Sequence, residues 1–180
     1  MLAAALEPVF RRGRVAGVWK HSLRAAQLCE ALARLTGILD ADEALLLGLV
    51  HDIGRQVTPT ITTLSRQTTL IRLVQGGCPP TYVEHLLYRR DHGEFGWQVL
   101  RNWSFPEHLS SAVLYHHRPE VANSRIAWIV YLVEFWMSGE EDLLSLSRLG
   151  AAMAQTGVSG EMLTDLAARR GSLFELLNAA

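Results

Sequence analysis

The run ALLLGLVHDIG, residues 44–54, constrains the fold more than any other stretch of the chain. It is apolar around most of a helical circumference, so the helix it predicts must be covered on nearly every side by other elements. A chain of 180 residues, 49% of them hydrophobic, can supply that cover as one continuous core, without material for a second full domain. The run then ends on two polar groups, His51 and Asp52, where mostly leucine surrounds them, and burying either without a partner costs free energy. Gly54 is expected to stop the helix in the left-handed conformation and so to open a cavity at the turn.

Elsewhere the apolar residues also recur at helical spacing, with hardly any strict alternation and no internal repeat, which predicts an all-α, single-domain helical bundle. Residues 1–16 read as an N-terminal helix or connector, 17–138 as the core carrying the polar motifs, and 139–180 as shorter helices that complete the bundle. Between Val18 and Leu35 one stripe holds His21, Ala25, Leu28, Leu32 and Leu35, and Gly37 ends that helix. Asp40 with Glu43 has capping-box spacing, as do Asp91 with Glu94 and Ser104 with Glu107. The threonine-rich stretch 58–78 predicts only a weak helix and loops, whereas Thr81 to Arg90 predicts a helix. Past Asp91, one helical side gathers His92, Phe95, Gly96, Val99 and Trp103, with Trp103 and Pro106 expected to form a packed corner. Leu109, Ala112, Val113 and His116 form the next stripe, with His117 about 100° further round. Ala127, Val130, Tyr131 and Glu134 share a face of the last apolar run, which places a carboxylate among core residues.

Several predicted helices thus turn His21, His51, Asp52, His92, His116, His117 and Glu134 inward. Neutral imidazole and carboxylate are the donors that divalent Mn, Fe, Zn or Mg accept, and imidazoles without thiolate favour transition metals over calcium. One or two such ions would satisfy the buried carboxylates. Arg24, one turn beyond His21, and Arg55, just after the HDIG run, are the cations best placed to hold phosphate oxygens, so the candidate catalytic set is Asp52, Arg55 and Arg24. A network in which the same groups bond only one another remains an alternative, and His85 and His108, off the stripes, are expected to face solvent.

A net charge of -1 gives no electrostatic reason to expect nucleic acid or an acidic membrane as partner. Arg11, Arg12 and Arg14 read as a solvated helix end, and the tryptophans as core or interface rather than as a platform for bases. Cys29 and Cys78 lack CxxC spacing, which suggests neither a disulfide framework nor a thiolate zinc site and fits a cytoplasmic setting. No stretch of eighteen apolar residues predicts a membrane span.

GLVHDIG, the upstream WKHSLRAAQLCEALA and the downstream DHGEFGWQVLRNWSFPEHLSSAVLYHHRPE together resemble the HD-related half of HDOD domains, over roughly residues 17–170. Those domains are helical bacterial signalling and regulatory modules related to metal-dependent phosphohydrolases. The resemblance implies His21, His51 and Asp52 around one metal, closed by Glu134 where the superfamily usually has an aspartate, and Asp52, His92, His116 and His117 around a second. It also implies a phosphoester or nucleotide ligand for an active member, or a protein partner for a silent one. Related cyclic-dinucleotide phosphodiesterases carry a lysine after HDIG and a GYP motif after the paired histidines; Arg55 and RPEVANS stand here instead, so that activity is not expected. Residues 1–16 supply no Asp-Pro or Asn-Ser signature of the upstream HDOD half, and a fragment or a shortened relative is expected.

Overall fold

A computed structural model of the chain describes residues 16–122, 124–138 and 143–168. The arginines at 11, 12 and 14, and the boundary segments 1–15, 139–142 and 169–180, lie outside the described residues. Among the described residues all regular structure is helical, as the periodicity requires. The elements are α1 (Ala16–Thr36), α2 (Ala41–Val50), a 3-10 turn (Ile53–Gln56), α3 (Thr58–Ile61), α4 (Leu64–Gln75), α5 (Pro80–Tyr88), α6 (His92–Asn102), α7 (Glu107–Tyr115), α8 (Arg125–Ser138), α9 (Leu143–Thr156) and α10 (Gly160–Ala168).

α1 lies along α2 and also meets α8, α8 packs on α7 and α9, and α6 is held between α7 and the 3-10 turn. Their inner faces form one core, with Leu32, Leu47, Leu100, Leu109, Ile129 and Val133 all buried. Each such side chain contributes about 1.5–3 kcal/mol relative to exposure. Gly37 ends α1 at φ 64°, its amide donating to the Ala33 carbonyl at 2.8 Å. Asp40 caps α2 by accepting from the amides of Asp42 and Glu43, but Glu43 does not reach back, its Oε1 standing 3.2 Å from His108 Nε2 instead. The full capping box forms at Asp91 and Glu94, where both reciprocal bonds are made and α6 begins.

Several expectations are corrected. Gly54 is not left-handed; it sits in the 3-10 turn, and what requires glycine is proximity. A Cβ there would collide with the His92 carbonyl and stand 2.6 Å from the Gly96 nitrogen, so the turn is pressed onto the first turn of α6. Ser104 is no capping residue: with φ 57° it closes α6, its amide donating to Arg101, and α7 starts at Pro106 without a side-chain cap. Trp103 at the same corner is 44% exposed, and Leu35, in the last turn of α1, is 43% exposed, so neither belongs to the core. The stretch 58–78 contains a regular twelve-residue helix, α4, capped by Thr63 and with no buried residue. It packs chiefly against α5.

α1 and α2 touch through backbone at Gly48, where a Cβ would stand 2.5 Å from the Ala25 oxygen and 2.6 Å from the Ala26 Cα. Neither atom belongs to a side chain that could rotate away. Gly48→Ala should therefore destabilise the fold by about 1–3 kcal/mol, the usual cost of overpacking, read as a lowered urea midpoint at unchanged slope. An unchanged midpoint would show that the two helices can part without loss.

Candidate metal centre

Two helices end on a histidine of the centre. His51 follows α2 and His116 follows α7, each as the C-cap, where carbonyls of the last turn have no partner within the helix. The Nδ1–H of His51 donates to the Gly48 carbonyl at 2.7 Å, and that of His116 to the Val113 carbonyl at 2.6 Å. Each bond fixes the tautomer and aims the Nε2 lone pair at the interior. His92 opens α6 and is aimed from its other side: its Nδ1–H donates to Glu84 Oε2 at 2.6 Å, and its backbone amide donates to the same oxygen at 2.9 Å.

The Nε2 atoms converge in two groups. His21 Nε2 stands 3.2 Å from His51 Nε2 and 2.9 Å from Glu134 Oε1, with His51 to Glu134 at 3.1 Å. His92 Nε2 stands 2.8 Å from His117 Nε2 and 3.3 Å from His116 Nε2. Asp52 lies between them. Its Oδ2 faces the first group, 3.6 Å from His21 and 3.9 Å from His51, and its Oδ1 faces the second, 3.2 Å from His92 and 4.0 Å from His116. Donor atoms sharing one zinc-like ion stand roughly 3.0–3.4 Å apart, so these spacings suit a metal in either group. Arg55 reaches the same carboxylate, Nε to Oδ2 at 2.7 Å, with Nη2 3.5 Å from His92 Nε2.

Half of these groups are withdrawn from water: His51, His92 and His116 are buried, as is Asp52, while His21, Arg55, His117 and Glu134 are partly exposed. Burial opposes charge on Asp52, yet Arg55, His51 and His92 hold its carboxyl well below the usual carboxylate range. Burial likewise opposes charge on Glu134, and the His21 and His51 imidazoles close beside it hold its carboxyl well below the usual range. Burial also disfavours a charged His51, but Asp52 and then Glu134 outweigh it and push the imidazole up to about 9. His116 goes the other way, down to about 3, through burial reinforced by His92 and His51; His117 is lowered by burial, His116 and His92. Without a cation the centre balances its carboxylates by taking protons onto some rings while the others stay neutral.

The donor set passes a further test of fit. Asp52 Oδ1 and Glu134 Oε1 are buried oxygens with no hydrogen bond of acceptable geometry among the described residues, although imidazole nitrogens stand close to both. With the neutral tautomers that Gly48 and Glu84 favour, those contacts set lone pair against lone pair, an arrangement relieved by a proton or by a metal ion. Burial and the nearby Glu134 raise the Cys29 thiol, which stays protonated and offers no thiolate.

Of the residues singled out from sequence, His21, His51, Asp52, His92, His116, His117, Glu134 and Arg55 are brought together, whereas Arg24 is exposed on α1. Glu84 was missed. It is 2% exposed at the middle of TYVEHLLY, beside buried Val83, and the argument applied to Glu134, a carboxylate within an apolar run, would have found it. His85 is half-buried rather than fully solvent-facing. Its Nε2 lies 3.3 Å from Glu94 Oε2, and its Nδ1 lies 3.3 Å from the Thr81 carbonyl oxygen and 3.7 Å from Asp91 Oδ2. His108 is exposed and meets Glu43.

Among the described residues no helix is long and apolar enough to cross a membrane. Over 142 residues, 79% of its length, the chain is 30% identical to a ribonuclease Y of Thermus thermophilus, and it spans only 18% of that relative. Its fold is similar to that of a candidate phosphohydrolase from Shewanella amazonensis, at TM-score 0.74 and 23% identity, covering 97% of this chain and 68% of the other. It is equally similar to an HDOD domain protein of unknown function from Geobacter sulfurreducens, at TM-score 0.76 and 21% identity with the same coverage. The HDOD domain model matches residues 2–119, and the chain belongs to the HDOD domain family.

Proposed function

We propose that this chain is a metal-binding HDOD regulatory domain whose centre hydrolyses a phosphoester, with a nucleotide as a candidate substrate class. The observation that carries the proposal is the set of lone pairs. Imidazole Nε2 atoms and two carboxylates converge around buried Asp52, each with a neighbouring donor within 4 Å, and two of the rings turn Nδ1 to a helix-end carbonyl and Nε2 to the centre. His21, His51, Glu134 and Asp52 Oδ2 would hold one divalent ion, and Asp52 Oδ1, His92, His116 and His117 a second. Such ions supply a water of lowered pKa and polarise phosphoryl oxygens. Arg55 is partly exposed beside the centre, and its guanidinium can hold a phosphate oxygen by a charge-assisted bond. The core leucines behind His51 and Asp52 keep bulk water from the inner side. The ribonuclease name of the Thermus relative, an enzyme of phosphodiester chemistry, is in line with a phosphoester substrate.

A second reading, a catalytically silent regulatory module that recognises a protein partner, is favoured by one observation. Arg55 already clasps Asp52 Oδ2 at 2.7 Å, which neutralises part of the charge that a metal would otherwise meet. The two readings separate on turnover. Elemental analysis of untagged protein should find stoichiometric Mn, Fe or Zn in the natural chain and a loss of most of it in Asp52→Ala, and metal-loaded protein should hydrolyse a nitrophenyl phosphoester. Arg55→Met should then raise KM about tenfold or more, the loss of one charge-assisted bond of about 1.5–3 kcal/mol. Bound metal without hydrolysis of any phosphoester moves the assignment to the silent module with a structural metal, and no metal even after reconstitution moves it to a metal-free interaction module.

The sign of the pH dependence follows from His51. Its imidazole, pushed up to about 9, carries a proton below that pH, and a metal must displace it. Apparent metal affinity should therefore rise with pH up to about 9, by about tenfold per unit for each proton displaced, with protons released on binding. Isothermal titration with Mn2+ at about pH 6.5 and 8.5, in two buffers of different ionisation enthalpy, measures both quantities. Affinity that is flat or falls over this range contradicts the assignment of His51 as a ligand.

A further inference from the structure

The imidazoles of the centre are not supported alike. His51 and His116 each lean on a backbone carbonyl of their own helix, so their orientation follows automatically once α2 and α7 form. His92 leads its helix and has no preceding turn to lean on. Its Nδ1 and its backbone amide are both answered by one oxygen of Glu84, which arrives from α5 eight residues earlier in the chain. Glu84 lies outside both groups of candidate ligands, so a role as ligand does not account for its burial. Its carboxyl is held below the usual range: burial works against the charge, but the bond to His92 outweighs it, helped by the nearby Arg55 guanidinium.

We infer that Glu84 is a positioning residue, which fixes the ring of His92 with Nε2 toward Asp52, His116 and His117 and thereby sets the metal affinity of that group selectively. Two bonds from one residue to one oxygen leave the ring with a single rotation, and a carboxylate acceptor on Nδ1 makes the opposite nitrogen a stronger donor to a metal. The 3-10 turn adds a mechanical stop, since Gly54 is pressed against the His92 carbonyl. The first group, His21, His51 and Glu134, shares no such bond and should not feel the loss of Glu84.

The test uses the full chain with Glu84→Gln and Glu84→Ala, and its metal measurement rests on the function proposed above. Glu84→Gln can keep both bonds through its amide oxygen and loses only the charge; Glu84→Ala loses both. NMR of metal-free protein should show the Nδ1–H of His92 far downfield and protected from exchange in the natural chain and in Glu84→Gln, and should show it absent in Glu84→Ala. Titration with Co2+ should show one class of site weakened about 10–100-fold in Glu84→Ala, a smaller loss in Glu84→Gln and a second class unchanged in both. Survival of the downfield proton in Glu84→Ala overturns the inference, as does equal weakening of both classes, the signature of a merely structural role. If Glu84→Ala fails to fold, a Glu84→Gln protein that has lost the proton or weakens both classes alike overturns it equally. If the natural chain takes up no Co2+, the proposed function falls, and the proton alone decides whether Glu84 fixes the ring.

Discussion

Acceptors crowded together in a dry place are unstable until something positive joins them, and the organisation of this chain turns on that constraint. Asp52 is almost fully buried, with one oxygen toward His21 and His51 and the other toward His92 and His116. An unpaired carboxylate in such a place would cost several kcal/mol or would take up a proton. The surroundings instead collect positive partners around it: Arg55 in a direct ion pair, and rings that can carry protons or share a metal. The same chemistry would let a divalent ion replace protons, and under the proposed function folding and loading of the centre would be linked.

The geometry depends on where helices stop. α2 and α7 both end at a histidine, and the unpaired carbonyls of their last turns take the Nδ1–H that would otherwise compete for the site. α6 enters from the opposite direction, beginning at His92, and needs Glu84 and the Asp91 capping box to hold its first turn. Glycines complete the assembly: Gly48 lets α1 reach α2, which brings His21 to His51, and Gly54 lets the turn carrying Arg55 press on α6. Packing and site chemistry are therefore set by the same contacts.

The helical class, the inward faces of His21, His92, His116 and Glu134, and the terminal position of His51 were legible because each depends on spacing along one helix. What was not legible depends on a second element. Gly54 reads as a helix stop by local rules, and only the neighbouring α6 backbone reveals it as a point of close approach. Ser104 has the spacing of a cap, but the end of α6 claims it first. Leu35 and Trp103 continue their stripes into the ends of α1 and α6, where they stay exposed. Glu84 was legible in principle, since it interrupts an apolar helix as Glu134 does, but its partner His92 lies on another helix, and no spacing rule connects them.

Anomalous X-ray diffraction from crystals grown with Mn2+ or Zn2+ tests the central claim most directly. Two peaks are predicted, one among His21, His51 and Glu134 and one among His92, His116 and His117, with Asp52 between them. A centre with no anomalous peak, its carboxylates hydrogen-bonded to protonated rings and water, would contradict the account.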